Sequence, residues 1–327
     1  MSNPHRWPTT DAVAAPNTEA IAALPPEERL WHRVRRNGAL LAGGALFMLI
    51  LVWAVVVPAF LELQPYAVDP MRRLEGPSAE HLLGTDGVGR DLYSRIVVGA
   101  RTSLIVGTSV ALLSAVIGTM IGLLASAFKV LDHILMRVCD GLMAIPAVLL
   151  AVALAAALGP TVPNLILALT IVFTPTVARL VRSRALGVMT ETFVEASRAQ
   201  GARTPHLIAR HVLPNVLSVL AVQTTFIFAD SIITEAALSF LGAGVPTPEP
   251  SWGNILYDGK SVILQSPLMT IAASATLIVT VLALNLLGDG LRDLVDPRAS
   301  RDGRRGVLSR LLGGRRPTLS HRKDASR

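Results

Sequence analysis

Six long apolar runs divide the chain, and polar segments separate them. Each run is about as long as the roughly 20 residues that a helix needs to cross a hydrocarbon core, and charges inside the runs are rare. The pattern therefore predicts an all-α polytopic membrane protein with six transmembrane helices. The predicted spans are Ala39–Phe60, Thr102–Phe128, Asp140–Leu158, Asn164–Val181, Leu213–Leu241 and Pro267–Gly288.

Composition excludes an ordinary soluble protein. Of the 327 residues, 51% are apolar and only 16% are charged. In a soluble domain roughly a quarter of all residues are charged, because charged residues solvate its surface. Cys139 is the only cysteine, so an internal disulfide is also excluded.

The positive charges predict the orientation. With a cytoplasmic amino terminus and six spans, 24 Lys and Arg residues fall on inner segments and 5 on outer ones, leaving aside Arg101 at a boundary. Because positive segments stay cytoplasmic during insertion, both termini are expected in the cytoplasm. This placement also accounts for the net charge of +7 without a nucleic-acid partner.

The domain organisation follows from these spans. Residues 1–37 are predicted to form a cytoplasmic tail, residues 38–290 a transmembrane domain, and residues 291–327 a basic cytoplasmic tail near anionic lipid. The segment Pro26–Asn37 fits a basic amphipathic helix on the membrane surface or an unstructured basic flank.

Three stretches are too polar to be simple connections: Leu61–Arg101 and Gly242–Gln265 outside, and Arg182–His211 inside. In the inner stretch, Thr192 followed by Glu195 predicts a capping box at a helix start. Gly201 is expected to end this helix, because glycine adopts the left-handed conformation. Thr204-Pro205 then starts a second helix that is expected to end near His211.

This inner loop resembles the coupling loop of the permease subunits of bacterial ABC importers. The shared pattern runs from Glu195-Ala196 through Gly201 to Leu213-Pro214, with Ser197 and His211 departing from it. In that family the loop docks into a groove of a cytoplasmic ATPase. The resemblance therefore implies that residues 190–214 couple transport to the ATPase. The positions expected to carry this coupling are Glu195, Ala196, Gly201, Arg203, His206, Arg210, Leu213 and Pro214.

Three further segments narrow the resemblance to the dipeptide/oligopeptide/nickel permease family, and to the second permease of its pair. They are His81–Leu104, Glu235–Leu256 and Gly288–Arg298. The resemblance implies a type I ABC importer permease fold in the bacterial inner membrane. It also implies short peptides as cargo, with nickel chelates or glutathione-like peptides as alternatives. The absence of a His and Cys ligand set in the spans disfavours a naked metal.

The resemblance also implies the partners. They are a second homologous permease, one or two kinds of ATPase subunit, an extracytoplasmic solute-binding protein and the lipid bilayer. ATP and magnesium would be bound by the ATPase partners, so no catalytic residue, cofactor or metal site is expected in this chain.

Charged and aromatic residues near the outer side are further candidates. The segment GTDGVGRD lacks the lysine and hydroxyl of a phosphate-binding loop. The resemblance implies instead that Asp86, Arg90 and Asp91 belong to an elbow over the transport path, and a pair between Arg90 and Asp91 is expected within it. Trp252 is expected in the other outer stretch, Gly242–Gln265. As interfacial aromatics, Trp252 and Tyr257 are expected at headgroup level.

Asp230 and Glu235 lie in the fifth span, where a lipid-exposed carboxylate would be costly. Each could pack in a structural network or contact cargo along the translocation path. At the inner side, Arg137 and Asp140 are spaced for an ion pair on one helix face.

Two other classes of function stay open at this point. An autonomous channel or secondary transporter would explain the spans and the buried carboxylates, but not the helical loop. A membrane enzyme would require clustered His, Cys or carboxylates, whereas the seven histidines are scattered.

Overall fold

The described part of the chain folds into a series of helices. A computed structural model describes residues 34–35 and 37–295, and the account below concerns Asn37–Val295. The helices are α1 (Gly38–Phe60), α2 (Leu92–Ala127), α3 (Lys129–Met143), α4 (Ala147–Leu158), α5 (Val162–Met189), α6 (Thr192–Ala199), α7 (Thr204–Leu207), α8 (Leu213–Phe240), α9 (Trp252–Lys260) and α10 (Pro267–Val295). The predicted tail up to Arg36, including most of its amphipathic helix, lies outside this account, as does the chain beyond Val295.

Five of these helices are long and apolar enough to cross a membrane: α1, α2, α5, the run Thr204–Phe240, and α10. The predicted spans at these positions are confirmed, although the helices extend further into the polar segments. Helix α2 begins at Leu92 rather than Thr102, because the Asp91 side chain caps it by accepting the Ser94 N–H. Helix α10 continues to Val295, past the predicted domain boundary at residue 290.

The predicted span Asp140–Leu158 is not one continuous helix. Two helices, α3 and α4, meet there at an angle of 95° across a short break. Pro146 causes the break, because it disfavours a helical conformation of the preceding residue and has no N–H to donate. Helix α4 has 12 residues, about 18 Å of helix, so only the bent pair together could serve as a sixth span.

The close contact of α2 with α5 depends on two small residues one turn apart. A Cβ built on Gly118 would lie 2.5 Å from the Cβ of Val177, and one on Gly122 would lie 2.6 Å from the carbonyl oxygen of Ala178. The expectation that Gly118 and Gly122 permit the approach of a neighbouring helix is confirmed.

The polar segments gather at the two ends of the bundle. We call residues 61–91 and 241–266 the cap, and residues 190–212 the helical loop. The cap contains α9, which the sequence pattern did not predict as a helix. The helical loop lies at the opposite ends of α5 and α8 from the cap.

Candidate functional site

The helical loop turns sharply at Gly201. The N–H of Gly201 donates to the carbonyl of Arg198 at 3.0 Å, and the N–H of Ala202 donates to that of Ser197 at 3.1 Å. This pair of bonds closes α6 in a Schellman motif, which requires a left-handed residue. Gly201 has a φ of +88°, and a Cβ built on it would meet no atom within 4 Å. Glycine is needed here for its backbone conformation and not for space.

The predicted capping box at the start of α6 is wrong. Thr192 is the first helical residue, and the N-cap position belongs to Glu191, whose side chain makes no capping hydrogen bond. Glu191 is in an extended conformation, so the chain enters the helix one residue earlier than the box requires. Glu195 is therefore not a cap, and its exposed side chain faces away from the helix bundle.

The second half of the loop is not a separate helix. After α7, residues Ile208–Val212 form a π-helical turn that leads directly into α8, and the N–H of Leu213 donates to the carbonyl of Ile208. The predicted helix end near His211 is therefore wrong. Pro214 has no N–H for the carbonyl of Arg210, and the wider π turn accommodates this missing donor. Movement of the loop is consequently tied to α8.

Apolar contacts hold the helical loop against the bundle. Val194, Leu207 and Val212 are buried, and they pack in one cluster with Val181 and Val188 of α5. The polar loop positions remain on the surface. Those that are exposed are Glu195, Ala196, Gly201, Arg203, His206, Arg210 and Pro214, whereas Leu213 is half-buried.

The two positions that depart from the family pattern lie next to each other. The Ser197 hydroxyl and the His211 Nε2 are 3.5 Å apart, and the ring of Phe193 lies 5.7 Å from that of His211. The two departing residues therefore contact each other where α6 meets the π turn.

Two ion pairs fasten α3 to α5 near the helical loop. Arg182 donates to both carboxylate oxygens of Asp132, the longer bond being 2.7 Å, and Arg179 pairs with Asp140. The predicted pair of Arg137 with Asp140 is wrong, because Arg179 on the neighbouring helix reaches the carboxylate instead.

Asp86 is the centre of a charge network in the cap. Its fully buried carboxylate accepts the N–H groups of Val88 (2.9 Å) and Arg90 (3.0 Å) and both the Arg90 and Arg95 guanidinium groups. Asp258 of α9 joins both arginines, at 3.1 and 3.0 Å. Burial alone would raise the pKa of Asp86, but these N–H groups and guanidinium charges together lower it below its ordinary value.

The predicted pair of Arg90 with Asp91 is wrong. Arg90 bonds Asp86 and Asp258, whereas the second oxygen of Asp91, beyond the one that caps α2, lies 3.0 Å from the Nδ1 of His81. The two neighbouring side chains therefore serve different contacts, which together fix the cap to the start of α2.

Glu235 is completely buried, and its carboxylate joins two helices. Its Oε2 accepts the Ser103 hydroxyl of α2 at 2.9 Å, and its Oε1 accepts the Ser239 hydroxyl of α8 at 2.8 Å. Each serine oxygen in turn accepts a cap N–H: Ser239 from Val245 at 3.0 Å, and Ser103 from Trp252 at 3.4 Å. Within this chain, the Glu235 carboxylate faces a hydrogen-bond network and not an open path.

Trp252 does not lie at a surface. Its side chain is fully buried among residues of α1, α2, α8 and α10, so the predicted position as an interfacial anchor is wrong. Ser251 caps α9 and turns the tryptophan inward. Tyr257 is exposed, with the Lys260 ammonium 4.7 Å from its ring centroid. Asp230 is exposed on α8, and its side chain makes no ion pair within the described residues.

An open cleft of about 610 Å³ lies beside the cap. One face of α2, the start of α5 and the segment Pro246–Glu249 line it. The lining residues are Tyr66, Val98, Arg101, Thr102, Ile105, Pro160, Thr161, Val162, Pro163, Pro246 and Glu249. Arg101 lies at a predicted span boundary and Glu249 in a distant outer stretch, and no motif in the sequence links them. Only the fold brings the two together.

The apolar helices, the cap and the anchored helical loop define a polytopic membrane protein. Comparison with known proteins makes the class specific. Residues 114–301 match the family described as the binding-protein-dependent transport system inner membrane component. The chain belongs to this family, and it is a multi-pass permease of the ABC-transporter type.

Individual relatives cover most of the chain. The dipeptide transport system permease protein DppC of Alkalihalophilus pseudofirmus is 36% identical over 91% of this chain and 99% of its own length. The glutathione transport system permease protein GsiD of Pectobacterium atrosepticum is 41% identical over 84% of this chain and 91% of its own. The predicted resemblance to the peptide permease family is confirmed.

A solved structure supports the fold. A chain of the MetNI methionine ABC transporter, in an inward-facing conformation, matches 61% of this chain and 95% of its own length with a TM-score of 0.53. At 22% identity this match concerns the fold alone. It confirms the predicted ABC importer permease architecture.

Proposed function

We propose that this chain is one permease subunit of a heterodimeric, ATP-driven importer of short peptides. The main support is the helical loop, whose α6 is closed by a Schellman turn at Gly201 and whose second half continues into the apolar helix α8. A rigid element that leaves the bundle and is continuous with a spanning helix can transmit displacement between a partner and the transport path. A structureless loop could not.

The partner at this loop is a separate cytoplasmic ATPase that binds ATP and magnesium. The exposed side chains of Glu195, Arg203, His206 and Arg210 offer it both signs of charge. This chain itself contributes no catalytic group and no cofactor. A second homologous permease completes the path, and a solute-binding protein delivers cargo at the cap.

The location is the bacterial inner membrane, with both termini and the helical loop in the cytoplasm. The excess of Lys and Arg on the predicted inner segments supports this orientation. The cap then faces outward, where a solute-binding protein can reach it.

Peptide cargo is supported by relatives that are named for dipeptide and di/tripeptide transport. Glutathione, itself a tripeptide, is the second candidate, because a 41% identical relative is named for it. Both share a peptide backbone with at least one free carboxylate and one free amine.

The test replaces Gly201 in the complete complex, reconstituted in proteoliposomes. Gly201→Val should abolish cargo-stimulated ATP hydrolysis and uptake, since a β-branched residue strongly disfavours a φ of +88°. Gly201→Asn is the matched control, because asparagine tolerates the left-handed conformation, and it should retain much of both activities. The ATPase that copurifies with each variant is measured in parallel.

Normal stimulated hydrolysis and uptake in Gly201→Val would mean that this loop is not the coupling element. Uptake that resists vanadate but stops when the proton gradient collapses would instead support a secondary transporter.

A further inference from the structure

The cleft beside the cap carries two opposite charges without an internal partner. Arg101 and Glu249 both line it, and within the described residues neither side chain forms an ion pair or a hydrogen bond. The carbonyl of Glu249 is fixed by the Asn254 side chain at 2.9 Å, so the backbone that carries this carboxylate is held in place.

Arg101 lies on the apolar helix α2, close to the cap end of the bundle, and it is exposed. Arg101 precedes by two residues Ser103, which bonds Glu235, and Glu235 lies five residues before the end of α8. Because α2 starts at the cap, Arg101 lies two residues nearer the cap than Ser103, and at 1.5 Å per residue it lies only about 5 Å below the cap end of α8. A charge at this level of an apolar bundle is costly unless it faces a water-filled space. The cleft provides that space.

The cleft carries charges of both signs. The first residues of α5 also line the cleft, and the amino-terminal end of a helix carries a positive partial charge. Glu249 contributes the negative charge. Tyr66, which is half exposed, adds an aromatic surface.

We propose that this cleft is a binding site for the two charged ends of a short peptide. Arg101 binds the terminal carboxylate, and Glu249 binds the terminal ammonium group. A volume of about 610 Å³ lies within the usual 300–1,000 Å³ of small-ligand sites. A di- or tripeptide, about 7–11 Å long when extended, fits such a cleft. This inference rests on the proposed peptide cargo and adds a feature of the peptide, its free termini, that the permease itself reads.

The test measures protection of a thiol in the reconstituted complex, without solute-binding protein. Pro160→Cys, in a Cys139→Ser background, places a thiol at the cleft wall, and Ser78→Cys is the control in the cap outside the cleft. The probes are L-alanyl-L-alanine, its N-acetyl derivative and its C-terminal amide. We expect the free dipeptide to slow maleimide labelling at the cleft but not at the control site. Each blocked probe should need an at least tenfold higher concentration to slow labelling at the cleft to the same extent.

Two variants assign the termini. Arg101→Gln should remove the preference for the free carboxylate and retain that for the free amine, and Glu249→Gln should do the opposite. Glu62→Gln, which removes an exposed carboxylate of the cap outside the cleft, should change neither preference. Size-exclusion chromatography checks that each complex stays assembled.

Equal protection by all three probes, or none by any, would overturn the proposal. The proposal would also be overturned if Arg101→Gln and Glu249→Gln abolished docking of the solute-binding protein but left protection unchanged. The two charges would then belong to a docking surface. Uptake is measured separately. Vanadate-sensitive peptide uptake without selective protection refutes this site alone, whereas absence of such uptake refutes the proposed transport function.

Discussion

At the scale of single residues, burial decides what a charge does. Asp86 and Glu235 are both fully buried, but Asp86 is surrounded by guanidinium and N–H groups, whereas Glu235 is held by serine hydroxyls. Asp230, five residues before Glu235, is exposed instead. Two carboxylates of one apolar segment thus have different environments: Asp230 is open to contact with cargo or a partner, whereas Glu235 is held in a hydrogen-bond network.

A substitution at Glu235 tests its structural role. Glu235→Gln keeps the shape and one acceptor, so we expect folded complex and uptake at a cost of about 1 kcal/mol. Glu235→Leu deprives the hydroxyls of Ser103 and Ser239 of their acceptor, which costs about 1–3 kcal/mol for each unsatisfied group. The yield of monodisperse complex and its melting temperature measure both effects. A well-folded Glu235→Gln complex without uptake would assign Glu235 to the transport path.

At the scale of elements, close helix contacts depend on residues without a side chain. The start of α1 packs against the end of α10, where a Cβ on Gly290 would lie 2.5 Å from the backbone of Leu40, and the Asn37 side chain donates to the Gly290 carbonyl at 2.8 Å. This contact explains why α10 stays helical beyond the predicted boundary.

Neighbouring glycines of α1 provide a matched test of this contact. A Cβ on Gly43 would lie 2.5 Å from the backbone nitrogen of Leu287, whereas one on Gly44 would meet nothing within 4 Å. Gly43→Ala should destabilise the protein by about 1–3 kcal/mol, because the backbone of α10 must shift. Gly44→Ala should be neutral or stabilising by up to about 1 kcal/mol, through helix propensity. Equal melting temperatures for Gly43→Ala and the unaltered protein would contradict the packing of α1 on α10.

At the scale of the whole molecule, polar elements of different design lie at the two ends. The cap is locked to α2 by the Asp86 network and to α8 by the Glu235 network. The helical loop is held mainly by apolar contacts and continues into α8. Helix α8 therefore links the two ends.

Thiol labelling tests the orientation of these ends. In a Cys139→Ser background, Ser78→Cys in the cap should react with an impermeant maleimide once any outer wall is breached. Ala199→Cys in the helical loop should react only after the inner membrane is opened. Both positions are exposed in this chain. The reverse order of labelling would invert the topology, and equal labelling would refute it.

Five of the six predicted spans correspond to long apolar helices at the expected positions, because apolar length is a local property that the bilayer selects directly. The sequence by itself also determined the turn at Gly201, since a left-handed backbone favours glycine whatever surrounds it. The family could be recognised from the same local motifs. The bend between α3 and α4 was within reach as well, because Pro146 is visible in the sequence, but the apolar run concealed it.

Tertiary structure alone decided which charges pair and which aromatic residues are buried. Arg90 bonds Asp258, which is 168 residues away in the sequence, and Glu235 bonds Ser103, which is 132 residues away. Candidates nearer in the sequence do not form the pairs: Arg90 does not bond Asp91, and Asp140 does not bond Arg137. Trp252 turns into the core because α9 packs there. Arg101 and Glu249 share a cleft for the same reason. Such contacts depend on how helices distant in sequence pack, and spacing along the chain does not encode that packing.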